Sequence, residues 1–129
     1  YKAKLREAAD SRVIFAGFRF GEAYRELRSN CYLYIQATEV GGTHPALVEG
    51  MAYGNCIIAN ATPEHAEVLG GAGVYYWRND FECLSRRIAY LLEHPKKVEE
   101  FGRVAMERAK RQFDWERITD QYEELAYKV

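Results

Sequence analysis

A chain of 129 residues with 48% hydrophobic content is long enough to bury a core and makes up one domain or part of one. Its 18 Lys and Arg stand against 19 Asp and Glu, which excludes the basic excess that a nucleic-acid footprint needs. Three widely spaced cysteines, Cys31, Cys56 and Cys83, form no CxxC pair; they argue against a disulfide framework or a zinc site and for a reducing compartment.

In chain order, Val13-Ile14-Phe15-Ala16 is a short apolar run with the composition of a strand, followed by the loop Gly17-Phe18-Arg19. Tyr24, Leu27 and Cys31 then fall on one helical stripe, and Tyr32-Leu33-Tyr34-Ile35 forms a second strand-like run. Gly41-Gly42-Thr43-His44-Pro45 leads into a helix on which Leu47, Val48 and Met51 share a face and which Gly54 stops. Pro45 suits the first helical turn, where a missing N–H costs little.

A third run, Cys56-Ile57-Ile58-Ala59, precedes Asn60-Ala61-Thr62-Pro63-Glu64, an N-cap and first-turn proline that open a short helix ended by Gly70-Gly71. Val74-Tyr75-Tyr76 is the fourth strand. Asn79 or Asp80 starts a helix with Leu84, Ile88, Leu91 and Leu92 inward and a stop at Pro95. Val98, Phe101, Ala105 and Ala109 mark the next helix. Asp114 caps the last, whose Trp115, Ile118, Tyr122 and Leu125 read as a packing stripe.

Four apolar strands joined by crossover-length segments indicate an α/β fold, a parallel sheet of about four strands with flanking helices. Cys31 and Cys56 are expected as small buried hydrophobes. The late basic cluster around Lys96 and Arg111 is interleaved with Glu99, Glu100 and Glu107, the pattern of a solvated helix face. No apolar segment has the length of a membrane span, there is no secretory pattern, and a start on Tyr1 suggests a piece of a longer protein.

The loop at residues 41–45 carries the functional expectation. A strand, a glycine loop and a helix N-terminus bring backbone amides and the helix dipole onto an anion. The amides of Thr43, His44, Ala46 and Leu47 are the candidate donors. Glu49 lies about one turn into the helix, where it can reach a hydroxyl-bearing ligand beside that anion, such as a sugar phosphate. Glycine loops that merely turn the chain are common, and a lone helical Glu is usually solvated. In a parallel sheet, however, the loops after the strands open on one edge and can share a ligand.

Phe15-Ala16-Gly17, the second strand, GGTHPALVEGMAYGNCIIA over residues 41–59, the segments Glu67-Val68-Leu69 and Ala72-Gly73-Val74, and Phe113-Asp114-Trp115 occur in register. Together they resemble the C-terminal, donor-binding domain of group 1 retaining GT-B glycosyltransferases, bacterial polysaccharide mannosyl-, glucosyl- and rhamnosyltransferases among them. The resemblance implies that residues 1–129 are a partial, Rossmann-like nucleotide-sugar-binding domain. It implies that Glu49 accepts from the ribose hydroxyls, that Gly41, Gly42, Thr43 and His44 hold the diphosphate, and that Gly17, Phe18 and Arg19 lie beside the base. It implies a nucleoside diphosphate sugar as donor substrate, no cofactor and no metal ion.

Three departures accompany it. The family's first glutamate falls at Gly41, and Glu39 is the nearest acid; either Glu39 replaces it as a catalytic group or the sugar is held differently. His44 stands for a glycine and is a second catalytic candidate, able to donate to a phosphate or the sugar, or merely to cap the helix. Two further βα units that in the family supply an Arg and a Lys are absent, as is the acceptor-binding N-terminal domain. Their strands would lie beside residues 32–35, so the incomplete sheet leaves room for self-association.

The parent would then be a hexosyltransferase of polysaccharide biosynthesis. It would act on a glycan or lipid-linked glycan in the cytoplasm or at the inner face of the membrane, and this fragment alone would be inactive. The contrasting reading is a non-catalytic α/β phosphate-binding or regulatory module.

Overall fold

The structure, a computed structural model, describes residues 1–128. Its strands are β1 (Leu33–Gln36), β2 (Cys56–Asn60) and β3 (Val74–Tyr76), joined in the order β1-β2-β3. Both pairings are parallel, with Leu33 opposite Cys56 and Ile58 opposite Val74. The helices are α1 (Lys2–Ala8), α2 (Gly21–Ser29), α3 (Pro45–Ala52), α4 (Pro63–Leu69), α5 (Phe81–Glu93), α6 (Pro95–Gln112) and α7 (Trp115–Lys128).

The central strand explains the layering. Every residue of β2 is buried, so its alternating side chains feed two separate cores. Ile57 and Ala59 pack with Leu47 and Met51 of α3, Leu69 of α4 and Ala105 of α6. Cys56 and Ile58 pack on the opposite face with Cys83 and Leu91 of α5 and Val98 of α6.

Local chemistry sets the helix ends. The Thr62 hydroxyl accepts from the His65 amide and Asp80 from the Cys83 amide, each capping a helix N-terminus. Arg108 of α6 donates to the Val68 and Glu67 carbonyls at 2.8 and 2.9 Å, covering acceptors that the end of α4 leaves open. Gly54, at φ +72°, turns the chain out of α3.

Three expectations are corrected. Residues 13–16 are not a strand: they make only local turns, Val13 N–H to the Asp10 carbonyl and Ala16 N–H to that of Ile14, and Ile14 is 84% exposed. The sheet has three strands because a strand exists only against a neighbour, and the outer edge of β1 has none among the described residues. The stripe on α7 is largely uncovered among the described residues, since the helix has no buried residue, Trp115 is 80% exposed and only Ile118 of the stripe is half-buried. Cys31 is half-buried rather than buried, its thiol donating to the Leu33 carbonyl at 2.9 Å.

Burial, with the neighbouring Cys31, pushes the Cys56 thiol up to about 11 from an ordinary value of 9.0. The folded state therefore holds this proton more tightly than the unfolded chain. The resulting effect on stability is flat below the ordinary value and unfavourable as pH rises from there toward about 11. Urea midpoints should fall over that window, and a Cys56→Ala variant should show a shallower fall; an equal fall in both would show that Cys56 makes no contribution.

Candidate functional site

Because the strands are parallel, the segments after β1, β2 and β3 leave from one edge of the sheet. Two groups of side chains form there and along the open side of β1.

The first surrounds a cleft of about 510 Å³, lined by Gly17, Phe18 and Arg19 on one side and by Tyr24, Arg28 and Tyr34 on the other. Gly17 takes φ +68°, a conformation that favours glycine, and turns the chain into this wall. Phe18 is 90% exposed, and Arg19 Nη1 lies back on the Phe18 carbonyl at 3.3 Å. Opposite, Arg28 is only 9% exposed and its guanidinium carbon lies 4.2 Å from the centre of the Tyr34 ring.

Arg28 Nε donates to the Tyr24 hydroxyl at 3.0 Å, and that hydroxyl donates to Glu49 Oε2 at 2.5 Å. The Tyr24 phenol is raised above its ordinary value first by this bond to Glu49, then by burial, with Arg28 pulling the other way. Arg28 Nη2 donates to the Ala46 carbonyl at 3.1 Å, in the first turn of α3. Asn55 donates to the Arg28 carbonyl at 2.8 Å and fixes the end of α2. Thus Glu49, outside the cleft wall, is joined to it through Tyr24.

The glycine loop runs from the other end of this linkage. The Leu47 amide donates to the His44 carbonyl at 2.9 Å and is used inside the first turn, which corrects its assignment as an anion donor. The amides of Gly42, Thr43, His44 and Ala46 have no acceptor among the described residues and remain available.

The second group lies beyond β1 and β2. His65, fully buried, has Nδ1 2.8 Å from the Asn60 carbonyl and Nε2 3.2 Å from the Thr38 hydroxyl. A carbonyl only accepts, which puts the proton on Nδ1 and leaves Nε2 to accept from Thr38. Gln36 Nε2 donates to Thr38 at 2.7 Å, and the Tyr34 hydroxyl donates to Gln36 Oε1. His44 sits on this network, its ring centre 4.9 Å from that of His65.

His44 occupies the N-cap position of α3, its carbonyl accepting from the Leu47 and Val48 amides, but its side chain makes no capping hydrogen bond. A Cβ at residue 41 would come within 2.6 Å of the His44 ring, and Gly41 takes φ +144°. The ring thus fills the space that a side chain at residue 41 would use. Glu39 lies beside Arg78 in the segment after β3, its carbonyl 3.5 Å from Arg78 Nη2, and does not line the cleft.

The model of the glycosyl transferase-like family matches residues 4–124. The chain belongs to that family. A solved structure of Anabaena Alr3699/HepE in complex with UDP matches with a TM-score of 0.87 at 22% identity, over 99% of this chain and 35% of that one. The fold of this glycosyltransferase-like chain is therefore the Rossmann-like, C-terminal half of a GT-B fold, and it spans about a third of the length of that neighbour. No curated protein matches it.

In this glycosyltransferase-like domain Gly17, Phe18 and Arg19 line one cleft, and Glu49 is joined to that cleft through Tyr24, one turn along α3 from the Ala46 amide. Glu39 and His44 do not join that cleft. Sequence reasoning missed Tyr24, Arg28 and Tyr34; the i, i+4 spacing of Tyr24 and Arg28 on α2 was the available signal. Among the described residues, no group of three or more His, Cys, Asp or Glu could hold a metal ion, and no helix is long and apolar enough to cross a membrane.

Proposed function

We propose that this domain is the donor-binding part of a retaining glycosyltransferase. The enzyme passes a hexose or deoxyhexose from a nucleoside diphosphate sugar to a glycan acceptor carried by another domain. One observation carries this reading: Glu49, one turn into α3 from the free amides, is bonded to Tyr24, which lines the cleft that Gly17, Phe18 and Arg19 also line. That order suits a base beside the exposed Phe18, a ribose on Glu49 and a diphosphate at Gly42, Thr43, His44 and Ala46. The UDP bound in the Anabaena structure supports a nucleotide of this kind.

The chemistry assigned to the chain is electrostatic. As the glycosidic bond breaks, charge accumulates on the departing diphosphate, and aligned amides at a helix N-terminus stabilise it without reorganising. His44, next to those amides, serves the phosphate or the transferred sugar; Glu39 serves the sugar only if β1 and its following loop draw together around the donor. No cofactor takes part.

A thermal-shift panel of UDP, GDP, ADP and dTDP on the full-length enzyme should raise the melting temperature with one nucleotide selectively. Glu49→Ala should then weaken that nucleotide by about 1–3 kcal/mol in calorimetry, the worth of hydrogen bonds to a charged acceptor. Unchanged affinity would refute the ribose role, and a flat panel would favour the non-catalytic module.

A further inference from the structure

The carboxylate of Glu49 belongs to an exposed residue, yet it is not free to turn. An arginine only donates, so the Tyr24 oxygen must accept from Arg28 Nε, and its single proton is committed to Glu49 Oε2. The linkage therefore has one direction, running from Arg28 through Tyr24 to Glu49 Oε2 as the acceptor. No other hydrogen bond reaches that carboxylate among the described residues, so Oε1 is left for a ligand.

The anchor of this linkage is itself held firmly. Arg28 is nine-tenths buried, lies over Tyr34 and donates to the Ala46 carbonyl. Gly50 makes the approach feasible: a Cβ there would come within 2.9 Å of the Tyr34 ring and 3.4 Å of Arg28 Nη1. One guanidinium thus fixes both the Glu49 carboxylate, through Tyr24, and the turn that bears the free amides.

We infer that Tyr24 and Arg28 are positioning residues that orient Glu49 so that Oε1 meets the ribose hydroxyls of the bound nucleotide. The inference rests on the donor-binding reading above. Holding the carboxylate in place before binding removes an ordering cost that the ligand would otherwise bear. Tyr24→Phe keeps the ring against Arg28 and removes the hydroxyl, and with it both the bond to Glu49 and the acceptor of Arg28 Nε.

The test titrates UDP, GDP and ADP into the full-length enzyme by calorimetry and takes the tightest forward with its 2′,3′-dideoxy form. Tyr24→Phe should weaken the ribonucleotide about tenfold, the scale of one lost hydrogen bond to a charge, and leave the dideoxy form within about twofold. It should add nothing in a Glu49→Ala background. Arg28→Lys, which keeps the charge but loses the fork, should follow Tyr24→Phe, which alone carries the test if the lysine variant does not fold.

Equal losses for the two nucleotides would assign Tyr24 a general structural role and overturn the inference. So would an unchanged ribonucleotide affinity while Glu49→Ala weakens it, or tighter binding, which would make the phenol a competitor of the ribose. If Glu49→Ala itself changes nothing, or no nucleotide binds, the donor reading fails first and the inference fails with it.

Discussion

Gly102→Ala is expected to lower the unfolding free energy by about 2–3 kcal/mol, read from urea denaturation with an unchanged m-value. Gly102 lies in the middle of α6, where helix propensity alone would favour alanine by about 1 kcal/mol. Packing opposes this. A Cβ at residue 102 would be 2.3 Å from the Gly54 carbonyl oxygen and 3.3 Å from its carbon. Those atoms are backbone, in a turn fixed by the Gly54 amide to Met51 at 2.9 Å and the Asn55 amide to Gly50 at 3.0 Å. Relief requires α6 to move off α3, which opens the core that α6 closes with Ala105 and Ala109. The sign decides between the two effects: a more stable variant would show that α6 slides freely over α3.

Leu47→Ala is expected to cost about 3 kcal/mol, within the usual range for a fully buried leucine that leaves a cavity. Leu47 is 0% exposed and packs with Met51, Ile57 and Val68, tying the first turn of α3 to the sheet. It is also two residues before Glu49 and adjacent to the free Ala46 amide, so a loosened first turn should weaken nucleotide binding as well. A loss below about 1 kcal/mol in equilibrium unfolding would mean that the neighbours collapse into the space. Normal nucleotide affinity in a strongly destabilised variant would show that the turn is held by Pro45 and Arg28 rather than by its buried leucine.

Much of the fold is legible in local chemistry. The unbroken apolar run at residues 56–59 becomes a strand buried on both faces, and Thr62-Pro63 and Asp80 cap the helices that they mark. Gly54 and Gly70 take positive φ where a stop was expected. Asn79 takes φ +60° in the turn beside Asp80, a conformation that asparagine tolerates better than most residues. These features need only neighbours a few residues away, so composition and spacing suffice.

What depended on distant partners was not legible. Residues 13–16 have the composition of a strand, but an extended segment without a neighbour leaves its backbone groups to turns and solvent. The α7 stripe has helical spacing, yet spacing does not say what covers it. The sequence by itself determined the α/β class, the glycine loop at a helix N-terminus and Glu49 one turn beyond it, because each is a property of a short stretch of chain. Only the tertiary structure decided that Tyr24 holds Glu49 across 25 positions, that Arg28 joins this pair to Ala46, and that the Leu47 amide is already used. Hydrogen-bond partners so far apart in sequence are set by how α2 and α3 pack beside β1, which no local pattern encodes.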